Sequence, residues 1–383
     1  MKGFVVSHKG IEDISALEIK ELTISKAIEV KDQIILFDFD RFEDLFTLCY
    51  RSQSASKVCL LLDSFSSDKD LLDLIVEKAK KLSLVDWIGK KAKLSVACIR
   101  EGNHLFTSQD VVSAVVRSIT KNMHVEIDYK HPDVILFLFV NVNYCYVGID
   151  FSGIDLSKHD YKIFVNQQAL KGPIAYSLLR IADVSSKDTV VDPFVKSGES
   201  IIEGALFMSG TSPLFYHKDS FAFLRLPKFK DFDFNKFFEK IDKKVKDSEL
   251  KLLGYDSLMR NIVAANKNSK IAGINKLVNF SRTEIDWIDL KLKKQSVDKI
   301  VTQLPMLTKR IEETVIKKIY DNFFNQAEYI MKKKGILVAA CKTSGLIEGI
   351  ASNYHFILKQ SRVIWQGQQQ IYVFVFGRSN HLP

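Results

Sequence analysis

The chain has 383 residues, of which 46% are hydrophobic and 26% charged, a mixture typical of a globular protein with more than one domain. No apolar run is long enough to span a membrane, and Met1–Val6 lacks the features of a signal peptide. The five cysteines and eight histidines are scattered, which argues against a zinc ribbon, a metal site and a disulfide scaffold. We therefore expect reduced thiols and a cytoplasmic location. The net charge of +9 favours a polyanionic partner, although a lysine-rich surface would explain it equally well.

The first 155 residues alternate strand-like and helical patterns in the way typical of small α+β domains. The predicted strands lie at residues 4–6, 25–30, 33–39, 57–63, 94–100, 134–140 and 144–149. The predicted helices lie at residues 11–22, 40–50, 68–81 and 110–121. The order of elements occurs twice with variations, so we expect two similar α+β stretches.

From residue 175 onward, helices and buried-looking strands alternate. The predicted strands lie at residues 189–192, 252–256, 277–280, 297–302, 335–340 and 370–376, and the clearest helices at 175–181, 200–208 and 258–271. Such alternation predicts a mainly parallel, doubly wound sheet. The segment 227–251, rich in Lys, Asp and Phe, is predicted to be a solvated helix inserted between two core strands.

In a doubly wound sheet, ligands bind outside the carboxyl ends of the strands, so polar residues at those ends are site candidates. The Ser197-Gly198 turn after the first strand would bring backbone amides to a ligand at a helix start. Asp256, which ends the second strand, would accept hydrogen bonds from ribose hydroxyls. Glu284, past the third strand, would meet an adenine amino group. No G-x-G-x-x-G follows the first strand, which argues against a dehydrogenase-like dinucleotide site.

Several motifs, taken in their order and spacing, resemble RNA guanosine-N2 methyltransferases that carry a THUMP domain. The resemblance is nearest to archaeal enzymes acting on the tRNA acceptor stem, and extends to bacterial large-subunit rRNA enzymes. The segments that carry it are Phe4–Leu22, Asp86-Trp87, Arg100–Ser108, Cys145–Asp150, Asp155–Lys162, Asp192–Ala205, Gly254–Asp256, Ala265–Gly273, Thr283–Ile285 and Val301–Met306. It implies an N-terminal ferredoxin-like and THUMP region at 1–155, a linker at 156–179 and a Rossmann-type methyltransferase domain at 180–378.

The resemblance also implies roles for individual residues. S-adenosylmethionine would be held by Asp192, Pro193, Phe194, Ser197, Gly198, Asp256 and Glu284. The guanine would be held for methylation by Gln303, Leu304, Pro305 and Met306. Basic residues next to turns of the THUMP-like segment are the candidates for RNA docking, namely Arg51, Lys90, Lys91, Lys93, Arg100 and His104, and the alternative is that they are solvated surface residues. The resemblance implies that the docked RNA is the 3′ end of a tRNA. No metal and no membrane partner is implied.

Two sites depart from the family pattern. Where the family has D-P-F-C-G-S-G-T, Lys196 replaces the first glycine and Glu199 the threonine. Where the family has N-L-P-Y-G, this chain has Gln303-Leu304-Pro305-Met306-Leu307. Two alternatives therefore stay open: an active methyltransferase, or a catalytically silent relative that binds RNA or acts as a scaffold. In a silent protein, Lys196 and Glu199 are expected to pair with each other and fill the cofactor pocket.

Overall fold

The computed structural model of the protein describes residues 1–25, 28–88, 92–166, 168–245, 249–305, 313–342 and 345–379. Within these ranges, the chain divides into two compact units. Unit 1 contains Met1–Ser7, Ser15–Leu156 and Tyr216–Lys240, and unit 2 contains His8–Ile14, Ser157–Phe215 and the residues from Ile241 onward. None of the helices in the described ranges is long and apolar enough to cross a membrane.

The strands are β1 (Lys2–Val6), β2 (Ile28–Val30), β3 (Ile34–Asp38), β4 (Lys57–Ser66), β5 (Lys93–Glu101), β6 (Glu126–Ile127), β7 (Val134–Asn141), β8 (Tyr144–Asp150), β9 (Thr189–Asp192), β10 (Lys251–Asp256), β11 (Val278–Arg282), β12 (Val297–Gln303), β13 (Met331–Cys341), β14 (Phe356–Gln366) and β15 (Gln369–Arg378). The helices are α1 (Glu12–Leu22), α2 (Phe42–Arg51), α3 (Leu71–Lys81), α4 (Ser108–Asn122), α5 (Gly172–Ile181), α6 (Glu199–Ser209), α7 (Phe234–Asp242), α8 (Met259–Ile271), α9 (Glu313–Ile330) and α10 (Ile347–Asn353). Short 3₁₀ turns lie at Ala222–Leu224, Pro227–Phe229 and Ile285–Leu290.

A single mixed sheet forms the centre of unit 1, with strand order β2-β3-β1-β4-β8-β7-β5-β6. Strand β4 pairs antiparallel with β1 on one side and with β8 on the other. The two α+β stretches expected from the sequence are therefore fused edge to edge through β4. Strand β7 is central and all eight of its residues are buried, which explains why its sequence is a continuous apolar run.

The sequence-based prediction of a solvated helix within 227–251 is wrong in part. Helix α7 lies in this range, but Phe229 is 8% and Phe238 4% exposed, so the segment packs through its phenylalanines. Phe221 and Phe223, just before it, are fully buried. These rings contact α2: the centroid of Phe46 lies 4.7 Å from that of Phe223 and 5.0 Å from that of Phe229. Seven phenylalanines between positions 221 and 238 supply the apolar area that makes packing more favourable than solvation.

Phe46 is the ring on which this aromatic cluster converges, and it is fully buried. We expect Phe46→Ala to lower the free energy of unfolding of unit 1 by about 3–5 kcal/mol, since the cavity would lose contacts with several rings at once. Urea denaturation followed by circular dichroism measures this. Tyr129→Ala, which removes a ring that is 60% exposed, is the matched control and should cost less than about 0.5 kcal/mol. Equal losses in the two variants would contradict this account of the segment.

Unit 2 is built on a doubly wound sheet, as the sequence predicted. The strand order is β11-β10-β9-β12-β13-β15-β14. The first five strands in this order, β11, β10, β9, β12 and β13, run parallel to one another. Strand β15 is antiparallel to both β13 and β14. The chain runs from β9 to β10 and β11 on one side, then returns to place β12 on the other side of β9. This reversal of direction is the point at which such sheets bind ligands.

Two apolar cores cover the two faces of this sheet. Val190 of β9 packs with residues of α5, α6 and α8. Its neighbour Val191 packs instead with residues of α9 and α10. Because successive strand residues point to opposite faces, the described helices cover both faces of the sheet, and the strand ends are the candidate positions for a ligand.

Candidate active site

The loop after β9 is anchored to the end of β10. The backbone N–H of Val195 donates to the carbonyl of Tyr255 at 2.9 Å, and that of Lys196 donates to Asp256 Oδ2 at 3.0 Å. Gly198 then starts α6 with a φ of 98°, a left-handed conformation that favours glycine. The glycine of the predicted Ser197-Gly198 turn is therefore required by the backbone.

Glycine is also required at position 254, because β10 passes close to its neighbours there. A Cβ at Gly254 would lie 2.6 Å from a ring carbon of Phe280 and 2.7 Å from a methyl of Val195. Both distances are shorter than van der Waals contact allows. The glycine thus lets the β9 loop lie against β10, next to Asp256.

Asp256 is 7% exposed and is held rigidly at the strand end. Its Oδ1 accepts from the backbone N–H of Leu258 and from Asn261 Nδ2, both at 2.9 Å, while Oδ2 accepts from Lys196. A carboxylate has about four acceptor positions, so one position on Oδ2 stays available. The backbone N–H of Thr283 donates to the carbonyl of Asp256 at 3.1 Å, which places the exposed Glu284 in the next loop.

Asp192, at the end of β9, is 2% exposed, and its carboxylate accepts hydrogen bonds from groups of the protein itself. Its Oδ1 accepts from the Thr302 hydroxyl at 2.6 Å and from the Phe194 N–H at 3.1 Å. Burial raises the pKa of this carboxyl to about 6, while the hydrogen bonds from Thr302 and Phe194 oppose the rise. Asp192 therefore joins the ends of β9 and β12, and Phe194 packs its ring on Phe323 with centroids 5.6 Å apart.

Lys196 reaches across the sheet edge to β12. Its Nζ donates to Gln303 Oε1 at 2.7 Å, and the two residues are 8% and 5% exposed. Its backbone has a φ of 51°, a conformation that is strained for a residue other than glycine. One lysine thus links the carboxylate expected to bind ribose, through its backbone, to the amide expected to bind the target base, through its side chain.

The pairing of Lys196 with Glu199 that is expected for a silent protein is not found among the described contacts. The Glu199 carboxylate accepts from Ser197 Oγ at 2.7 Å and lies 3.8 Å from the ammonium of Lys162. Lys196 instead turns to Gln303, because β12 ends beside β9 and offers an amide oxygen at the reach of a lysine side chain. Which residue pairs with Lys196, Glu199 or Gln303, therefore depends on the order of the strands in the sheet, which cannot be read from the sequence.

Burial lowers the pKa of Lys196 to about 8. The nearby carboxylates of Asp192, Glu199 and Asp256 raise it, and the Lys342 ammonium lowers it further, so burial outweighs the three acids. Because the unfolded chain has an ordinary lysine, with a pKa of 10.5, it binds more protons than the folded chain between about pH 8 and pH 10.5. Stability should therefore rise with pH across that window, and the cost of the buried charge is fully present at pH 7.

We expect Lys196→Met to raise the free energy of unfolding at pH 7, because methionine removes the buried charge. The net gain should be about 1–2 kcal/mol, since the loss of the hydrogen bond to Gln303 offsets part of it. The advantage over the wild type should shrink between pH 8 and 10. Urea titrations at pH 7.0 and 9.5 measure both effects. Lys187→Met, at an exposed lysine, is the control and should change neither value. Parallel pH profiles for Lys196→Met and the wild type would contradict the depressed pKa.

Asn268 of α8 is a site residue that the sequence analysis did not single out. It is fully buried, and its Nδ2 donates to the carbonyl of Ser197 at 2.9 Å. Ser197 Oγ in turn accepts from the backbone N–H of Asn166 at 3.1 Å. The signal was present, since Asn268 lies inside one of the motifs that carry the family resemblance, but its role depends on where α8 packs.

A second unpredicted cluster holds the segment that precedes α5. Glu203 of α6 is fully buried, and its Oε1 contacts His159 Nδ1 at 2.6 Å and accepts from the Tyr161 hydroxyl at 2.6 Å. Gly172 leaves room for this cluster, because a Cβ there would lie 2.3 Å from His159 Nδ1. These contacts tie residues 159–161 to the helix that follows the β9 loop.

Three of the four residues expected to hold the guanine, Gln303, Leu304 and Pro305, lie in the described part of the chain. The backbone N–H of Leu304 donates to the carbonyl of Ala340 at 2.9 Å, and the carbonyl of Pro305 accepts from the Tyr320 hydroxyl at 2.9 Å. These contacts fix the chain directly after Gln303. Met306 lies outside the described residues.

The residues expected to dock RNA are all in unit 1, and the structure brings two of them together. Arg100 Nη1 lies 2.9 Å from His104 Nδ1, and His104 Nε2 lies 2.5 Å from the carbonyl of Val142. Lys93 is paired with Asp128 at 2.9 Å, which weakens it as a phosphate ligand. Arg51 ends α2 and is half-buried. Lys90 and Lys91 lie outside the described residues.

In the part of the chain that the structure describes, no group of three or more His, Cys, Asp or Glu side chains could hold a metal ion. The site is built instead from strand-end carboxylates, one amide and a tight loop at a sheet reversal. This arrangement places the protein in the class of doubly wound α/β domains that bind a ligand where the strand order reverses.

Comparisons with known proteins agree with that class. Residues 159–367, more than half of the chain, match the family described as RMKL-like, methyltransferase domain, and residues 70–150 match the THUMP domain. The chain belongs to this RMKL-like methyltransferase family, and it carries a THUMP domain. The resemblance predicted from the sequence motifs is therefore confirmed.

Individual relatives extend along most of the chain. It is 26% identical to the tRNA (guanine(6)-N2)-methyltransferase of Methanocaldococcus jannaschii, over 96% of this chain and 97% of that protein. It is 23% identical to the ribosomal RNA large subunit methyltransferase K/L of Aeromonas salmonicida, over 77% of this chain and 41% of that protein. The crystal structure of SMU.472 with SAH matches with a TM-score of 0.83 at 15% identity, over 100% of this chain and 99% of that chain. This last likeness shows the fold alone.

Proposed function

We propose that the protein transfers a methyl group from S-adenosylmethionine to the exocyclic N2 of a guanosine in structured RNA, and that the RNA is a tRNA. The observation that carries the proposal is the juxtaposition of Asp256 and Gln303 across one loop, in a chain that aligns end to end with a tRNA (guanine(6)-N2)-methyltransferase. Asp256 is the acceptor for the nucleoside part of the cofactor, and Gln303 is the acceptor for the target amine.

The described residues fit the cofactor. Asp256 keeps one acceptor position for a ribose hydroxyl, and the exposed carboxylate of Glu284 follows in the adjacent loop. The ammonium of Lys196 can offset the charge that Glu199 adds near the methionine carboxylate. S-adenosylmethionine, when bound, supplies an electrophilic methyl group on a sulfonium.

The target amine is a poor nucleophile, because its lone pair is delocalised into the guanine ring. Gln303 Oε1 and the backbone carbonyl of Leu304 accept its two hydrogens, which raises the electron density on the nitrogen as it attacks. The cofactor would supply the methyl group and keep the electron pair of the broken C–S bond on its sulfur, and the proton that the methylated nitrogen loses would pass to water. Rigid placement of the acceptor at the end of β12 supplies most of the acceleration.

The Lys196 ammonium occupies one of the two lone pairs of the Gln303 amide oxygen. The other lone pair stays available for the target amine, so the guanine can dock without displacement of Lys196.

RNA docking is assigned to unit 1, where Arg100 and His104 lie together in the THUMP region. The family's THUMP domain, the net charge of +9 and the tRNA enzymes among the relatives support this assignment. The cytoplasmic location stays a prediction, supported by five cysteines that form no disulfide among the described residues.

The experiment is methyl transfer to unmodified tRNA transcripts by the purified full chain, with N2-methylguanosine detected by mass spectrometry of the digested RNA. Transcripts in which inosine replaces guanosine at the modified position lack the N2 amine and are the matched control. We expect product only from the guanosine transcripts. RNA binding without any product, with S-adenosylmethionine present, would favour the catalytically silent alternative.

A further inference from the structure

Three consecutive apolar residues of unit 2 are exposed beside the loop between β9 and α6, here called the cofactor loop. Ile163 is 63% exposed, Phe164 39% and Val165 60%. Exposed apolar residues that occur singly need no explanation, but a contiguous run that contains an aromatic ring marks a candidate interaction surface.

This run is held in a fixed conformation by a buried side chain. Asn268 Oδ1 accepts from the backbone N–H of Phe164 at 3.1 Å, and its Nδ2 donates to the carbonyl of Phe164 at 3.0 Å. Asn268 is fully buried and also donates to the carbonyl of Ser197. Hydrogen bonds to a buried amide are costly to break, so Phe164 is presented in one position relative to the cofactor loop.

The surface next to Phe164 is basic. The ammonium of Lys267 lies 4.6 Å from the centroid of the Phe164 ring. Helix α8, which carries Lys267, has three cationic residues and no acidic residue among its 13. All three cations, Arg260, Lys267 and Lys270, are exposed.

We propose that Phe164, Arg260, Lys267 and Lys270 form an RNA-binding surface of the methyltransferase domain, here called the α8 surface. Phe164 stacks on an unpaired base, and the three cations contact phosphates. Aromatic rings beside lysines are how proteins bind unpaired nucleotides, whereas lysines are depleted at protein–protein interfaces. The proposal rests on the RNA substrate of the proposed function and adds a second contact region, on the unit that carries the chemistry.

The test is fluorescence anisotropy of a labelled tRNA transcript with the full chain, without cofactor, over a series of salt concentrations. We expect Phe164→Ala to weaken binding about tenfold, as loss of one stacked base does. Phe164→Leu keeps an apolar side chain but has no π-face, and should weaken binding nearly as much, whereas Phe164→Trp should retain it. Lys267→Ala with Lys270→Ala should weaken binding and reduce the slope of log K against log salt by about 1–2.

Two exposed residues elsewhere in unit 2 are matched controls. Tyr329→Ala removes a ring that is 43% exposed, and Lys334→Ala removes an exposed lysine. Neither should change the affinity. Thermal unfolding of every variant shows whether a loss of binding reflects a loss of fold.

Wild-type affinity in Phe164→Ala, or no RNA binding by the wild type, would overturn the α8 surface. The outcome is separable from that of the proposed function, because affinity is measured without turnover. RNA binding that depends on Phe164, with no methyl transfer, would refute the proposed activity and support the surface. Methyl transfer by Phe164→Ala with an unchanged KM for tRNA would support the proposed activity and refute the α8 surface.

Discussion

Asp256→Ala is expected to weaken S-adenosylmethionine binding by roughly 30- to 1000-fold, as loss of about 2–4 kcal/mol implies. The carboxylate is the proposed ribose acceptor, and its Oδ2 keeps one acceptor position for a hydroxyl. The variant also frees the backbone N–H of Lys196, which loosens the β9 loop. Isothermal titration calorimetry with the purified full chain measures the effect.

Two variants separate binding from folding in this experiment. Asp256→Asn keeps one acceptor oxygen and should bind the cofactor with intermediate affinity. Asp289→Ala removes an exposed carboxylate of the same unit and should leave binding unchanged. Cofactor binding that survives Asp256→Ala would refute the placement of the site, whether the protein is active or silent.

Much of the fold follows from periodicity alone. The alternation of buried strands and helices after residue 175 predicted the doubly wound sheet, because strands covered on both faces are continuously apolar. Strand β14 was not predicted, and its composition explains why. It lies at the edge of the sheet and most of its residues are exposed or half-buried, so it lacks the apolar signal of a central strand.

Residues 216–240 show a different limit of sequence reasoning. Lysines and aspartates between the phenylalanines suggest a solvated helix, and only the tertiary structure shows that the rings pack on residues of α2. Their partner Phe46 lies about 180 residues earlier in the chain, a separation over which sequence patterns carry no information.

Most of the site could be placed from the motifs, but its contacts could not. Asp256 and Gln303 are at strand ends, as expected, and the loop between β9 and α6 contains the required glycine. The partner of Lys196 depends on β12 being inserted next to β9, and the role of Asn268 depends on where α8 packs. These two contacts depend on how the strands and helices are arranged in space, and the sequence motifs do not show that arrangement.

The second large effect is expected at Gln303. We expect Gln303→Ala to lower kcat for methyl transfer by about 10²–10³-fold, since removal of a preorganised hydrogen-bond partner of the reacting group costs about that much. Cofactor affinity should stay within about threefold of the wild type, because Asp256 and Glu284 are unchanged. Single-turnover methylation of a tRNA transcript and calorimetry with S-adenosylmethionine give the two values.

Gln303→Asn is the informative control. Asparagine stands at this position in the family pattern that the chain resembles, so the shorter amide should retain most of the activity. It should also break the contact with Lys196, whose ammonium lies 2.7 Å from the glutamine oxygen, so any inhibition by that contact should be relieved. Activity in Gln303→Asn together with loss in Gln303→Ala would assign the acceptor role to the amide. Equal turnover in Gln303→Ala and the wild type would remove Gln303 from the mechanism and leave the backbone carbonyl of Leu304 as the acceptor of the amine.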